Sequence, residues 1–466
     1  MTKFQSKQHN EQRLRVASCV VLSTLLVTGC LSISLGQSEA RVKRLETVAT
    51  LIHDNKISEA ERQLWSVLRA TPNEPAALSL MGTIRAKQGR LQEAESLFVR
   101  ALKGDPKFVG ARMNLAYLYL LKREPSKTIT QLNEVLRIDP ANLDAADKLA
   151  ELLCSQRRFD ECLSVIDKLR LSQTIPARLL VVSGDAHFGK GDLKKAEDDY
   201  LLALEGKLEN AGALLGLAQI SQAKGETRET ALYLTRVASL SNESQSPEFL
   251  YRFGLTALKA GKPNEAKAAF ERADKLTPNE HPYVLALGIA WLRKGDLFES
   301  EKVFRRLTTL FPDSSQGQLH LGYVLLNQKK YGEAQQWLEK CARSQNPVPE
   351  VFYYLGLVAQ EQNNDAIAIG LLEKAVQQLP TYSHARIALG SSYMKLRNYT
   401  RAQEELETAV KLDPEEPKAH YNLALLYARL KNTEKAQQEM SIVESLKSKG
   451  ATDSGVVVLP PTAPPP

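Results

Sequence analysis

A repeat of 34 residues runs through most of this chain and limits its fold more than any other sequence feature. In each copy a small residue is followed twelve positions later by another small residue, and successive copies start 34 residues apart, except for 36 between Ala218 and Gly254. The pairs are Gly82/Ala94, Ala116/Thr128, Ala150/Cys162, Gly184/Ala196, Ala218/Thr230, Gly254/Ala266, Gly288/Ser300, Gly322/Ala334, Gly356/Ala368, Gly390/Ala402 and Ala424/Ala436, after a weaker copy at Val48/Ala60. The 410 residues of 41–450 therefore hold twelve copies, which predicts one continuous array instead of separate globular domains.

Two further positions recur in the same register. A large residue stands four places after each second small residue, at Leu64, Phe98, Leu132, Ile166, Tyr200, Leu234, Phe270, Phe304, Leu338, Leu372, Leu406 and Met440. A proline closes many of the copies, at Pro72, Pro106, Pro140, Pro278, Pro312, Pro380 and Pro414. The combined pattern resembles the tetratricopeptide repeat, a helix–turn–helix unit. The resemblance implies an all-α fold, a right-handed α-solenoid superhelix of about twelve repeats.

The residue types at these positions suit two packed helices per copy. Small residues twelve apart lie on successive helices, and we expect the two backbones to approach closely there, where a leucine would overpack by about 1–3 kcal/mol. Between the helices, residues suited to a left-handed cap occur at Gly89, Gly191, Gly225, Gly261, Gly295, Asn55 and Asn363. The closing proline stops the second helix, and each pair is stabilised by stacking on its neighbours.

The period is least regular in the middle of the chain. Repeats four to six lack the closing proline, and the two extra residues fall around 244–246, where we predict a looser seam between two halves of the array. The array is predicted to span 41–450 and to be followed by a Pro-rich, disordered tail at 451–466. The one apolar run of that tail, Val456–Leu459, could dock in a groove, the array's own included.

The N-terminal segment has the pattern of an export signal. Four basic residues precede twenty uncharged ones, 16–35, whose apolar core leads to Val27-Thr28-Gly29-Cys30. This sequence resembles the lipobox of bacterial lipoproteins. The resemblance implies that 1–29 is a signal peptide, that Cys30 carries a lipid which anchors the protein in the membrane, and that 30–40 is a short linker.

The N-terminal segment leaves the cellular location of the protein open between three interpretations. In Gram-negative lipoproteins the residue after the lipidated cysteine helps to sort the protein, and Leu31 at that place favours the outer membrane. At about 1.5 Å per residue, twenty helical residues also reach across a bilayer, so an uncleaved signal anchor in the inner membrane stays open. A hydrophobic tail on a cytosolic protein is the third interpretation.

The repeat resemblance also implies a binding surface. In such arrays the second, fifth, ninth, twelfth and thirteenth residues of each repeat form a concave groove that binds an extended peptide or a helix. In repeats seven to ten these positions include Tyr251, Leu255, Leu258, Leu285, Ile289, Leu292, Leu319, Tyr323, Leu326, Tyr353 and Leu357. Solvent-facing positions this apolar indicate a partner-binding groove. The alternative is that tight curvature buries the side chains against each other.

Repeats four and five differ at the same positions. They carry Asp144, Asp147, Glu151 and Asp185, with Arg178 beside them. The acids could steer a basic partner or could form a solvated face. Some chaperone-binding relatives hold a C-terminal carboxylate with Lys and Asn at the fifth and ninth positions, and no repeat has that combination here, which disfavours that ligand class.

The sequence contains no pattern of a catalytic or metal site. Its seven histidines lack metal-ligand spacing, and no glycine-rich phosphate loop occurs. A disulfide between Cys154 and Cys162 is possible, whereas Cys341 stands at a core position that takes a small residue. The net charge of +7 is dispersed, which argues against nucleic acid. We therefore expect no enzyme activity, cofactor, metal, nucleic acid or small-molecule substrate.

These observations together predict a function. They favour a membrane-anchored protein–protein interaction scaffold of the bacterial cell envelope, whose partners are other proteins. Similar lipoproteins serve pilus assembly, secretion or exopolysaccharide export. The alternative is a single-pass, signal-anchored adaptor or co-chaperone associated with an envelope enzyme.

Overall fold

The computed structural model describes residues 37–171, 174–205, 209–240 and 246–448, and all regular secondary structure in these ranges is α-helical. The chain divides into two units, of which the first ends at Lys224 and the second begins at Gly225. Each unit is built from helices that pack against the next one or two helices along the chain. The leader, the tail and most of the predicted seam lie outside the described residues, so the domain limits remain predictions.

The first unit contains α1 (Gln37–His53), α2 (Ile57–Ala70), α3 (Pro75–Lys87), α4 (Leu91–Gly104), α5 (Val109–Leu121), α6 (Pro125–Ile138), α7 (Leu143–Ser155), α8 (Phe159–Arg170), α9 (Ala177–Gly189), α10 (Leu193–Leu204) and α11 (Ala211–Lys224). The second unit contains α12 (Thr227–Ser239), α13 (Pro247–Lys259), α14 (Pro263–Leu276), α15 (His281–Arg293), α16 (Leu297–Leu310), α17 (Ser315–Asn327), α18 (Tyr331–Ala342), α19 (Pro349–Glu361), α20 (Asp365–Gln378), α21 (Ser383–Lys395), α22 (Tyr399–Leu412), α23 (Pro417–Arg429) and α24 (Thr433–Ser448). Odd-numbered helices are the first helices of the repeats and even-numbered helices the second. The predicted all-α array of about twelve helix pairs is confirmed.

The small positions of each pair mark a close approach between its two helices. In repeat eight the Ser300 hydroxyl on α16 donates a hydrogen bond of 2.9 Å to the Gly288 carbonyl on α15. The large residue of the same repeat, Phe304, fills the space over Gly288, because a Cβ added to that glycine would lie 2.5 Å from Phe304 Cε1. The large side chain is therefore the main reason why the first small position is small. From the sequence alone, only the close approach of the two backbones was expected to require it.

The same packing explains the glycine of four repeats, while three others have glycine opposite a leucine, at Gly322, Gly356 and Gly390. The four repeats with an aromatic large residue, Phe98, Tyr200, Phe270 and Phe304, all have glycine at the first small position. Alanine occurs there only opposite an aliphatic or methionine side chain, as in Ala116/Leu132 and Ala424/Met440. A planar ring thus occupies the volume that a β-methyl group would need.

The turn inside each repeat contains one residue in the left-handed region. The five glycines and two asparagines predicted for this role have φ between 60° and 85°, as expected. The other five repeats place a basic residue there, at Arg123, Arg157, Lys329, Arg397 and Lys431. In repeat two the turn closes with Gly89 N–H donating to Ala86 O and Arg90 N–H donating to Arg85 O, at 3.0 and 2.9 Å, which is the Schellman arrangement.

The prolines end the second helices as predicted. Helix α4 stops at Gly104 and Pro106 lies in the turn that follows, while α22 stops at Leu412 before Pro414. Proline has no N–H for a helical hydrogen bond, so it separates one repeat from the next. Stacked pairs then share one large core through most of the second unit and several smaller buried clusters in the first.

Candidate protein-binding surface

The residues predicted to form the groove lie on first helices of the second unit, α13, α15, α17 and α19. Eight of them expose at most 9% of their surface: Tyr251, Leu255, Leu258, Leu285, Ile289, Leu292, Leu319 and Tyr353. Neighbouring side chains cover these eight residues, as expected if the curvature of the array buries the side chains against each other. Tyr323, Leu326 and Leu357 are half-buried and keep accessible apolar surface. The binding of a partner by these residues remains a prediction.

The half-buried Tyr323 belongs to a row of four tyrosines in contact with one another. Ring centroids are 5.0 Å apart for Tyr323 and Tyr354, 5.3 Å for Tyr354 and Tyr353, and 5.2 Å for Tyr353 and Tyr382. These tilted contacts are of the kind that aromatic rings favour. Burial raises the pKa of Tyr354 and of Tyr382 well above the ordinary tyrosine range, so both hydroxyls stay protonated. The Tyr382 hydroxyl makes no hydrogen bond to any described residue.

Sequence reasoning missed two members of this tyrosine row. Tyr354 and Tyr382 are the sixth and thirty-fourth residues of repeat ten, outside the positions assigned to the groove. The adjacent Tyr353-Tyr354 pair was the available signal. Its second ring points toward the neighbouring repeat, where it contacts Tyr323.

Polar side chains border the accessible apolar surface. Arg293, Asn327 and Glu361 occupy the thirteenth positions of repeats eight, nine and ten, and all three are exposed. Asn327 donates a hydrogen bond of 2.8 Å to the Tyr323 carbonyl, and Glu361 accepts one of 2.8 Å from Tyr331. An apolar centre with a hydrated polar rim is the usual arrangement of a protein-binding surface.

The acidic positions of the first unit are engaged by neighbouring groups. Tyr117 donates to Asp144 at 2.8 Å, Tyr200 donates to Asp185 at 2.7 Å, and Lys148 donates to Glu151 at 2.8 Å. Arg178 Nη2 lies 2.5 Å from Asp147 Oδ2. The Tyr117–Asp144 and Arg178–Asp147 contacts link successive repeats, and the other two lie within one repeat. The acids therefore have a structural role beside the two predicted from the sequence.

Asp147 is the most deeply buried of these acids, with 1% of its surface exposed. Neither of its oxygens accepts a well-aligned hydrogen bond from a described residue, although Arg178 lies close. Burial, with a smaller contribution from Glu151, raises the pKa of Asp147 to about 6 against the attraction of Arg178 and Lys148. The carboxylate is therefore a charge that the fold tolerates at neutral pH at some cost in stability.

Comparison with known families decides the identity of this architecture. The tetratricopeptide repeat pattern matches residues 54–107, 79–142, 251–315, 285–349 and 387–440, and a second form of it matches 357–411. Together the matched ranges span more than half of the chain. The chain belongs to the tetratricopeptide repeat family. Its fold is that of a protein–protein interaction scaffold.

Two bacterial relatives share part of this tetratricopeptide array. Cellulose synthase operon protein C of Xanthomonas axonopodis pv. citri is 24% identical over 206 residues, which is 44% of this chain and 12% of the relative. The protein of the same name from Pseudomonas fluorescens is 25% identical over 236 residues, 47% of this chain and 18% of the relative. The chain thus spans less than a fifth of the length of these relatives.

Solved tetratricopeptide structures give a weaker likeness. The Cut9–Hcn1 hetero-tetramer of APC/C aligns with a TM-score of 0.45 and 15% identity, covering 88% of this chain and 95% of the other. Sequence identity at this level reflects the fold alone.

Metal-ligand clusters and membrane-spanning helices are both absent from the described part of the tetratricopeptide array. Within it, no group of three His, Cys, Asp or Glu residues is placed to hold a metal ion, and no helix is long and apolar enough to cross a bilayer. The disulfide left open between Cys154 and Cys162 is not formed. Cys30 and the leader lie outside the described residues, so lipidation remains a prediction.

Proposed function

We propose that this tetratricopeptide protein is a membrane-anchored scaffold of the bacterial cell envelope that binds other proteins through the second unit. The observation that carries the proposal is the half-buried surface of Tyr323, Leu326 and Leu357, bordered by exposed polar side chains. A partner would insert apolar side chains, from an extended peptide or one face of a helix, against these residues. Its main-chain groups would meet the polar rim.

The energetics of burial favour binding through a few contact residues over binding along a broad groove. The eight buried groove residues have little surface left to lose, so they contribute rigidity and shape. The three half-buried residues each retain apolar surface, and removing it from water is worth about 25 cal/mol per Å². A few such side chains on a rigid support commonly supply most of the affinity of an interface.

The membrane anchor of the proposed scaffold rests on the lipobox-like sequence at Cys30. A lipid on Cys30 would hold the array at the periplasmic face, with the outer membrane favoured by Leu31. The similarity to cellulose synthase operon protein C supports exopolysaccharide export as the pathway served. Pilus assembly and secretion are the other envelope pathways that this architecture would suit.

Charge placed on the accessible surface should abolish partner binding. We expect the variant L326E/L357E to lose at least tenfold of the partner adducts formed by a benzoylphenylalanine photo-crosslinker at position 323 in living cells. The reason is that two carboxylates would have to be buried against apolar partner side chains. The adducts are quantified by immunoblot and identified by mass spectrometry. Ile289 is unsuitable for such a change, because it is fully buried and a charge there would unfold the repeat.

The matched control places the same two charges on more exposed side chains of the second unit. Ile367 and Leu396 expose 59% and 51% of their surface, so I367E/L396E should keep the adducts. Hydrogen exchange of α17 and α19 checks that both variants are folded. Unchanged adduct yields in folded L326E/L357E would place the binding surface elsewhere.

The second test concerns the lipid. Cells fed an alkyne-labelled palmitate should label the wild-type protein and the C19A variant, whereas C30A should lose the label at least tenfold and keep its leader. Cys19 is the matched control because the lipobox interpretation removes it with the signal peptide. A wild-type protein that stays in the membrane fraction without label would instead be held by a signal anchor.

A further inference from the structure

Two apolar side chains of the last repeat are exposed at positions that repeat eleven buries, whereas Leu425, one helical turn from Tyr421, stands at a position that is already half-buried in repeats nine to eleven. Tyr421, Leu425 and Met440 expose 43%, 39% and 39% of their surface. The equivalent Ile387 and Leu406 in repeat eleven expose 2% and 0%. We call Tyr421, Leu425 and Met440 the terminal face. It lies on α23 and α24, where the first helix of a further repeat would pack.

The register of the array gives the place where a covering segment would begin. Helices α21 and α23 start at Ser383 and Pro417, one repeat apart, so a thirteenth first helix would start at residue 451. Helix α24 ends at Ser448, three residues earlier. By this count the tail, residues 451–466, would begin at the position from which a further repeat would cover repeat twelve.

The apolar run of the tail corresponds, by count along the sequence, to buried positions of a first helix. Counted from residue 451, Val456–Leu459 occupies the sixth to ninth positions of a repeat. In repeat eleven those positions include Ala388 and Leu389, which are 6% and 2% exposed and belong to the buried core. Only a helical tail would hold the run at these positions; an extended tail carries the same run further along the terminal face.

The composition of the tail favours an extended segment over a helix at this place. Val456, Val457 and Val458 are β-branched, and Gly455 and Pro460 flank the run. Proline cannot donate a helical hydrogen bond, and it forces the residue before it toward the extended region. We propose that the tail crosses the terminal face as an extended segment, with Val456–Leu459 in contact with Tyr421, Leu425 and Met440, in place of a thirteenth first helix.

The tether favours the chain's own tail over a second copy as the occupant. Seven residues separate Ser448 from Val456, and the eight steps between their Cα atoms reach up to about 28 Å, whereas α23, with 13 residues, is about 20 Å long. The run can therefore reach any part of the terminal face. Four small apolar residues bind weakly as a free peptide, but a short tether presents them at an effective concentration in the millimolar range. The docked tail would also serve as the polar cap that solenoid ends require.

Intramolecular crosslinking tests this arrangement in the full chain. A benzoylphenylalanine at position 425, beside Tyr421 and Met440, should crosslink to peptides of 451–466 after illumination. Mixing light and heavy isotope-labelled protein before illumination distinguishes the two sources of the tail. We expect only light–light and heavy–heavy products. Mixed products would assign the face to a second copy, and the absence of crosslinks to the tail would also overturn the proposal.

Paired variants of the tail complete the test without touching the folded array. V457D/L459D should reduce the crosslink at least tenfold and increase the hydrogen-exchange rate of α24 several-fold, because the charges oppose burial. T462D/A463D adds the same charges beyond the run and should change neither readout. Equal effects of the two variants would show that the run has no specific contact. The outcome does not depend on the partner surface at Tyr323, so the two proposals fail separately.

Discussion

Replacing Phe304 with alanine is expected to lower the free energy of unfolding around α15–α17 by about 3–5 kcal/mol. Phe304 is fully buried, lies over Gly288 and stacks on His320 with ring centroids 5.2 Å apart. Its removal leaves a cavity between two repeats that neighbouring side chains cannot fill without backbone movement. Hydrogen exchange of this segment in urea measures the change locally, which suits an array whose repeats need not unfold together.

A double-mutant cycle isolates the contact responsible. G288A alone should destabilise the segment by about 1–3 kcal/mol, because the new methyl group meets the Phe304 ring. F304L should make room, so the double variant G288A/F304L should be more stable than the sum of the single effects predicts. Repeats three and six already have this Ala/Leu combination, at Ala116/Leu132 and Ala218/Leu234.

Gly370 provides the control for the glycine change itself. It lies in α20, and a Cβ added there meets nothing within 4 Å. G370A should therefore stabilise its helix by about 0.5–1 kcal/mol, since alanine loses less backbone entropy than glycine. Additive effects of G288A and F304L would show that the ring does not select the glycine.

The second large effect is expected on acidification of the second unit. His320 is 4% exposed, and burial lowers its pKa to about 4. An unfolded histidine binds a proton below about pH 6.5. Between these values the unfolded chain binds more protons, so stability present above pH 6.5 is lost as the pH falls to 4, by about 3 kcal/mol in total. Hydrogen exchange of α15–α17 at pH 7 and pH 4, corrected for intrinsic rates, measures this loss.

The variant H320L and the first unit provide the controls. H320L removes the titrating group from an apolar site and should flatten the pH dependence of this segment. Asp147 has the opposite effect on stability. Because its pKa is raised to about 6 in the folded state, the folded chain binds more protons than the unfolded chain between pH 6 and pH 4. Around α7–α9, stability should rise by roughly 1–3 kcal/mol between pH 6 and pH 4. An equal loss of protection in both segments, unaffected by H320L, would contradict these assignments.

The sequence was sufficient for the fold because each repeat is specified locally. Gly89 and Pro106 act within their own turns, and Gly288 and Phe304 lie sixteen residues apart in one helix pair. Such signals depend only on the repeat that contains them. The basic residues at left-handed positions, such as Arg123, were not predicted, since glycine and asparagine are the usual choices there.

The candidate site was less predictable because burial on a first helix depends on the next repeat. Ile289 and Leu357 both occupy ninth positions, yet the first is fully buried and the second half-buried. The size and direction of side chains in the adjacent pair decide the difference, and the position number carries no information about them. The same applies to Arg178, which reaches Asp147 from the following repeat.

Within each unit, the strong contacts join a helix only to the next one or two along the chain. This has a consequence for how such a protein changes in evolution. A duplication or deletion of 34 residues inside a unit restores the same neighbours on both sides of the junction, whereas one of half that length sets two first helices side by side. The array can therefore become longer or shorter by whole repeats, while the retained repeats keep their side chains and their packing contacts.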